Sequence, residues 1–429
     1  MSEVLQIRGG SPLSGTIQVS GAKNASLPLL ITALLTSEKC TFHNVPVLED
    51  VRLTLQLLEH LGAHTTFSKN TATIEVPSLI ATEASYSLVK SLRASFWVLA
   101  PLLARGGAAR VALPGGDAIG ARPVDIHLEA LRQMGADVSV KHGVVFASAP
   151  NGLRPAKINF RFPSVGATHQ LMMAASLTPG ETIITGAAKE PEIVAVAECI
   201  NQMGGSIEGA GTDTLIINGK SELGGATVKV IGDRIEAGTY LMAAAATKGD
   251  ITIEGINPAF FGSFLEILDQ MNISVSTTEK SIRVNATKGI KAVSVKTAPF
   301  PLFATDLQAP LMAALTLADG LSSIQESMFE GRFGHVSELC RMGASIIIQD
   351  HCAVVTGVPK LSGALVEGLD IRAAASLVIA GLAADGVTTI TETSHLKRGY
   401  EKLLIKLNSL GASAWVKVQD PDDFMFSGC

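Results

Sequence analysis

Six times along the chain, apolar residues at helical spacing stop at a small residue and give way to apolar–polar alternation. The segments read LQLLEHLGAHTTF, LEALRQMGADVSV, AECINQMGGSIEG, LEILDQMNISVST, SELCRMGASIII and LIKLNSLGASAWV. Each predicts an amphipathic helix that runs into a half-buried strand. The stops fall at Gly62, Gly135, Gly204, Asn272, Gly343 and Gly411, at intervals of 73, 69, 68, 71 and 68 residues. Glycine has no Cβ to clash in the left-handed conformation that closes a helix, and asparagine is the next most tolerant residue there.

Two further families of segments repeat in step. CTFHNV, RVALPGG, TIITGAA, ITIEGIN, SSIQESM and TTITETS predict short β-strands leading into loops. SGAKNASLPLL, KSLRASFWVLA, PSVGATHQLMMAA, GDRIEAGTYLMAAA, FATDLQAPLMAAL and LDIRAAASLVIAG predict helices rich in Ala and Leu with polar starts. The unit is therefore mixed α/β and about 70 residues long, beyond the roughly 20–45 residues of a solenoid repeat. Six such units group as two globular halves of three. The last unit lacks its Ala-rich helix, and the first such helix precedes any complete unit. The N-terminal segment is thus expected to complete the C-terminal half. That places one domain at residues 24–231 and the other at residues 1–23 plus 232–429.

Candidate chemistry lies where the Ala-rich helices begin: Lys23 and Asn24, Arg93, Ser164–Gly166, Arg234, Asp306 and Arg372. A helix N-terminus offers free N–H groups and partial positive charge, so it favours anions. Any one of these charges is explained by solvation. Three cations at equivalent ends, Lys23, Arg93 and Arg372, fit a polyanionic ligand better. The stretch LPGGDAIGARPVDIH (113–127) adds a glycine-rich loop with Asp117 at its tip and Arg122 and Asp125 behind it. Glycines at both ends of 113–121 suit a lid that hinges.

Composition narrows the class. Hydrophobic residues reach 47% and charged ones only 17%, which predicts a well-buried globular protein. A net charge of −5, without a Lys/Arg stripe, argues against a nucleic-acid partner. Apolar runs such as FWVLAPLLA (96–104) are too short to span a bilayer. The start, MSEVLQIRGG, lacks the pattern of a secretory leader. Cys40, Cys199, Cys340, Cys352 and Cys429 are scattered and form no CxxC pair, so buried, reduced thiols in a cytoplasmic protein are expected. No histidine spacing suggests a metal, and none is expected. P-loop, dinucleotide and GxSxG signatures are absent. Trp97 and the LMM and LMA runs read as core.

Ten of these segments recur in an order that carries a resemblance: SGAKNA (20–25), LRASFW (92–97), LPGGDAIGARPVD (113–125), SVGAT (164–168), EPEIV (190–194), DRIEAGT (233–239), TDLQA (305–309), FEGRFGHV (329–336), DIRAAAS (370–376) and HLKRGYE (395–401). Through them the chain resembles the enolpyruvyl transferases nearly end to end, in particular the branch that acts on UDP-N-acetylglucosamine in bacterial cell-wall synthesis. The resemblance implies a two-domain inside-out α/β barrel, with three βαββ-type units per domain and helix N-termini at a cleft between the domains. It implies transfer of the enolpyruvyl group of phosphoenolpyruvate to the sugar 3-hydroxyl with release of phosphate, without an organic cofactor.

Residue roles follow from the same resemblance. Lys23, Arg122 and Arg398 are expected at the phosphate of phosphoenolpyruvate, and Arg332 and Arg372 at its carboxylate, with Asn24 beside both substrates. Arg93, Arg122, Pro123, Val124, Asp125, Ile126, Ser164, Val165, Gly166, Asp306 and Met328 are expected around the sugar nucleotide. Asp306 matches the position of the base for the sugar hydroxyl. The family usually carries cysteine where this chain has Asp117, and that cysteine is the target of the epoxide fosfomycin. Asp117 is expected either to deliver a proton or to act in product release, and the enzyme is expected to be fosfomycin-insensitive. Phe162–Pro163 replaces a basic residue common beside the nucleotide diphosphate. Two alternatives remain at this stage: a shikimate-pathway enolpyruvyl transferase, and a catalytically silent paralogue that binds the sugar nucleotide.

Overall fold

The computed structural model describes residues 2–84, 86–89, 92–115, 119–120 and 123–419. It contains six four-stranded sheets of one pattern. In each, a short edge strand runs parallel to the second strand, and the remaining two strands are antiparallel. The six strand segments expected from the sequence form Cys40–His43, Ala108–Ala112, Gly180–Thr185, Asp250–Glu254, Leu321–Gln325 and Val387–Thr391. Each is the second strand of its own sheet. The βαββ-type repeat is therefore present six times.

Two compact bodies divide the chain, one holding residues 20–116 and 122–231, the other 1–19, 117–121 and 232–429. Ser20–Lys23, expected with the C-terminal half, group with the first body, because Ala22 N–H donates to the Ile231 carbonyl at 2.7 Å. Ile119 and Gly120, expected with the loop's own half, group with the second body.

Each body closes on itself through its chain ends. In the first, Thr227–Lys229 returns to lie parallel to Cys40–His43. In the second, Ser14–Gln18 lies parallel to Asp250–Glu254. Ser2–Arg8 is inserted between Val387–Thr391 and Ser413–Gln419. The N-terminal residues thus supply two of the twelve strands of that body.

Each body has its own hydrophobic core. Ala-rich helices lie innermost: Lys23–Thr32, Leu99–Gly106 and Val165–Ser176 in one body, Arg234–Ala246, Gln308–Leu315 and Ile371–Ala383 in the other. Apart from Leu99–Gly106, whose last three residues reach the surface, they are buried on almost every side, so small apolar side chains all round suit them better than an amphipathic stripe. The three helices of the second body pack on one another. Amphipathic helices such as Glu49–His60 lie outside them, each burying one face. All six predicted helix stops have positive φ, from 64° at Asn272 to 113° at Gly62.

The cysteine expectation needs correction. Cys40 and Cys199 are buried, but Cys340 is exposed and Cys352 half-buried. Cys340 lies on the solvent face of the outer helix Val336–Arg341. Cys429 lies outside the described residues.

Candidate active site

In the second body, a proline shapes the turn that carries Asp306. Pro310 has no N–H for the carbonyl of residue 306 and its ring crowds that carbonyl, so a regular helix cannot continue back through Asp306. The chain takes a 3-10 turn over Thr305–Leu307 before Gln308–Leu315 begins. Pro101 has the same relation to the 3-10 segment Arg93–Val98 in the first body. Buried Glu326 supports the Asp306 turn, accepting from Thr305 Oγ1 at 2.9 Å, from Thr297 Oγ1 at 2.7 Å and from the Met328 N–H at 2.8 Å.

Asp306 lies between two arginines. Arg332 Nη2 is 2.6 Å from Oδ1, and Arg372 Nη2 is 3.4 Å from Oδ2. Both guanidinium groups are buried, whereas 27% of the Asp306 side chain is exposed, which leaves the cluster open to a ligand. Burial would raise the Asp306 pKa, but Arg372 and Arg332 outweigh it and hold the carboxyl far below the usual carboxylate range. Burial would lower the Arg372 pKa, and the Asp306 carboxylate more than reverses that. Two guanidinium groups on one partly exposed carboxylate offer paired donors to an incoming carboxylate. Arg372 is placed by the first turn of Ile371–Ala383, which Asp370 caps by accepting from the Arg372 and Ala373 N–H groups at 2.7 and 3.0 Å.

This body also holds other expected residues. Met328 is half-buried, and Arg398 is half-buried on Ser394–Gly399. His335, fully buried near Arg332, is pushed down to about 3, by burial first and by the Arg332 charge second. Of the 113–121 loop, residues 113–115 belong to the first body and Ile119 and Gly120 to the second. The Gly331 N–H donates to the Ile119 carbonyl at 3.1 Å, one residue before Arg332. Gly120 has φ +127°, and a Cβ there would lie 2.6 Å from the Glu330 carboxylate. Residues with a side chain rarely adopt that φ, which favours glycine here.

The first body holds the other expected residues. Lys23 opens its helix almost fully buried, its Nζ 2.6 Å from Oδ2 of Asp50, which is 1% exposed. Asn24 follows, half-buried. Arg93 opens its 3-10 segment and helps hold His127 neutral. Burial is the larger cause, and the His127 pKa falls to about 4. Gln170 donates its amide to the Phe96 carbonyl at 3.3 Å and turns its oxygen to His127 Nδ1, so that nitrogen carries the ring proton. The ring lies against Gly166, where a Cβ would come 3.0 Å from it.

Ser164 caps Val165–Ser176 by accepting from the Ala167 N–H at 3.2 Å. That bond uses a lone pair of the hydroxyl and leaves its proton, with the half-buried Ser164–Gly166 backbone, for a ligand. Pro123 and Asp125 are exposed, Val124 half-buried and Ile126 buried. Asp125 opens Asp125–Gln133 and pairs with Arg161, whose guanidinium overrides partial burial and lowers the Asp125 pKa. Asp117 and Arg122 lie outside the described residues. Among the described residues, no group of three or more His, Cys, Asp or Glu side chains could hold a metal ion.

Sequence reasoning missed Asp50, Glu326, Thr239 and Tyr400. Only Thr239 and Tyr400 carried a signal, as the ends of DRIEAGT and within HLKRGYE.

The second body brings Arg372, on a helix start, and Arg332, in the turn before Val336–Arg341, to one carboxylate, a grouping suited to an anionic substrate. Residues 7–407 match the family described as EPSP synthase (3-phosphoshikimate 1-carboxyvinyltransferase), and the chain belongs to that family. The acceptor is addressed by nearer relatives. The chain is 50% identical to UDP-N-acetylglucosamine 1-carboxyvinyltransferase 1 of Mesorhizobium japonicum, over 95% of this chain and 98% of that one. It is also 50% identical to the UDP-N-acetylglucosamine 1-carboxyvinyltransferase of Desulfosudis oleivorans, over 95% and 97%. Among solved structures, the enolpyruvyl transferase NikO from Streptomyces tendae superposes with a TM-score of 0.87 at 25% identity, covering 98% of this chain and all of that one. EPSP synthase from Acinetobacter baumannii shares the fold, with a TM-score of 0.75 at 18% identity over 97% of this chain and all of that one.

Proposed function

We infer that the protein transfers the enolpyruvyl group of phosphoenolpyruvate to the 3-hydroxyl of UDP-N-acetylglucosamine and releases phosphate, a step toward peptidoglycan. The observation that carries this reading is 50% identity to enzymes named for that acceptor over 95% of the chain. The cluster of Asp306 with Arg332 and Arg372 supplies the groups the chemistry needs.

The reaction is an addition followed by an elimination. The sugar oxygen bonds to C2 of phosphoenolpyruvate while C3 gains a proton, giving a tetrahedral intermediate. Loss of phosphate from C2 and of a proton from C3 restores the double bond. Arg332 and Arg372 hold the carboxylate; Lys23, Arg122 and Arg398 hold the phosphate. The sugar nucleotide lies along Arg93, residues 122–126, the Ser164–Gly166 helix start and Met328, with Asn24 between the substrates.

Asp306 takes the proton of the sugar hydroxyl. Paired with two guanidinium groups it is ionised but weakly basic. A substrate carboxylate that draws those groups toward itself raises the proton affinity of Asp306. The base thus strengthens as the second substrate arrives. Asp117 acts at the loop tip, in proton delivery or in product release. A carboxylate is a far weaker nucleophile than a thiolate, so fosfomycin does not alkylate it.

Phosphate release measured with phosphoenolpyruvate and each candidate acceptor tests the reading. Turnover with UDP-N-acetylglucosamine and none with shikimate 3-phosphate is expected; the reverse overturns the acceptor assignment. Sugar-nucleotide binding without phosphate release overturns the transferase assignment.

A further inference from the structure

We infer that Tyr400 is a positioning residue for Arg372, aiming its guanidinium at the substrate carboxylate, and that Thr239 sets the direction of the Tyr400 hydroxyl. This rests on the reading that Arg372 grips the carboxylate of phosphoenolpyruvate.

Proton counting carries the argument. Thr239, buried in the first turns of Arg234–Ala246, donates its only hydroxyl proton to the Ile235 carbonyl at 2.8 Å. Its oxygen, 3.0 Å from Tyr400 Oη, can then only accept, so the Tyr400 O–H donates to Thr239. The Tyr400 oxygen is left with its lone pairs outward, and Arg372 Nη1 donates to it at 3.2 Å. A guanidinium has no acceptor, so no other assignment satisfies all three groups.

The result is an oriented clamp. Nη1 of Arg372 is tied to Tyr400, while Nη2 faces Asp306 at 3.4 Å. The guanidinium carbon lies 5.7 Å from the centre of the Tyr400 ring, which adds a cation–π contact. Tyr400 is itself rigid: it is 3% exposed, and its N–H donates to the Leu396 carbonyl at 2.9 Å. The anchor is neutral, and burial keeps the phenol protonated. A carboxylate in its place would hold Arg372 as firmly but would neutralise it and compete with the substrate. A phenol orients the cation and adds no negative charge beyond that of the Asp306 carboxylate.

The test compares Arg372→Lys, Tyr400→Phe, Thr239→Val and Thr239→Ser in steady-state kinetics with both substrates varied. Losing a hydrogen bond to a charged group should raise the KM for phosphoenolpyruvate about tenfold in Tyr400→Phe. The KM for the sugar nucleotide and the thermal midpoint should stay close to wild type. Thr239→Val should shift the same constant by a smaller factor, and Thr239→Ser should restore it. Adding Tyr400→Phe to Arg372→Lys should change nothing further, because one residue acts through the other.

If Arg372→Lys raises this KM but Tyr400→Phe and Thr239→Val do not, the positioning role is wrong and the reading of Arg372 stands. If Arg372→Lys itself leaves it unchanged, the reading of the site is wrong. Equal changes for both substrates with a lowered thermal midpoint would make Tyr400 a packing residue and overturn the inference. Should Tyr400→Phe not fold, the Thr239 pair decides alone: loss in Val with rescue in Ser supports the clamp, and no difference between them overturns it.

Discussion

At Asp306, guanidinium groups 2.6 and 3.4 Å away keep the carboxylate ionised while leaving part of it exposed. Asp306→Asn keeps the side-chain shape but removes proton acceptance, so turnover should fall by about 10²–10⁴-fold. Calorimetry should still detect sugar-nucleotide binding, and near-normal turnover in this variant would assign the base elsewhere. Asp117 tests the loop tip through a gain of chemistry. After incubation with fosfomycin and sugar nucleotide, the enzyme of natural sequence should show no covalent adduct by intact-protein mass spectrometry, since the five cysteines all lie outside the loop. Asp117→Cys should acquire a single adduct and lose activity in step. An adduct at Asp117 in the natural sequence would refute the proposed insensitivity.

Among the elements, the approach of Arg234–Ala246 to the Asp306 turn depends on one missing side chain. A Cβ at Gly238 would lie 2.6 Å from Leu307 Cδ2, and Leu307 is itself buried, at 2% exposed. Alanine favours a helix over glycine by about 1 kcal/mol, whereas overpacking a filled core costs about 1–3 kcal/mol. The second effect should prevail, because Leu307 is fixed beside Asp306 in a three-residue turn. Gly238→Ala should therefore lower stability by about 1 kcal/mol and reduce turnover more than sugar-nucleotide binding. Urea melts alongside kinetics will show it; a stabilised, fully active variant would mean that the turn gives way freely.

Across the whole molecule, three buried histidines make stability depend on pH. His127 is pushed down to about 4, and His169 and His335 to about 3, with burial the largest cause in each. The folded chain keeps them neutral, while the unfolded chain protonates them near 6.5. Their contribution is complete above that value and declines as pH falls toward 4, because the unfolded state then binds more protons. By pH 5 each should have cost about 2 kcal/mol. Urea titrations at pH 7 and pH 5 should show this loss. It should be smaller in His169→Leu, whose ring contacts Trp97 and has both nitrogens unpartnered. An identical loss in that variant would remove His169 from the account.

What the sequence determined by itself was local. The six helix stops, the strands that precede the outer helices and the Ala-rich inner helices all follow from neighbouring residues, because φ preference and apolar period act over a few positions. The tertiary structure decided what distant residues share. The parallel edge strands, such as Lys157–Asn159, Ser294–Lys296 and Leu365–Glu367, are three residues long and show no usable alternation. They exist because a neighbouring strand offers a free edge. Asp50 meets Lys23 through the packing of an outer helix on an inner one. Thr239, Arg372 and Tyr400 come from three elements, and the first and last are 161 residues apart. No local period records such a contact, since its cause is burial: polar groups enclosed by a core must find one another's hydrogen bonds wherever the fold brings them.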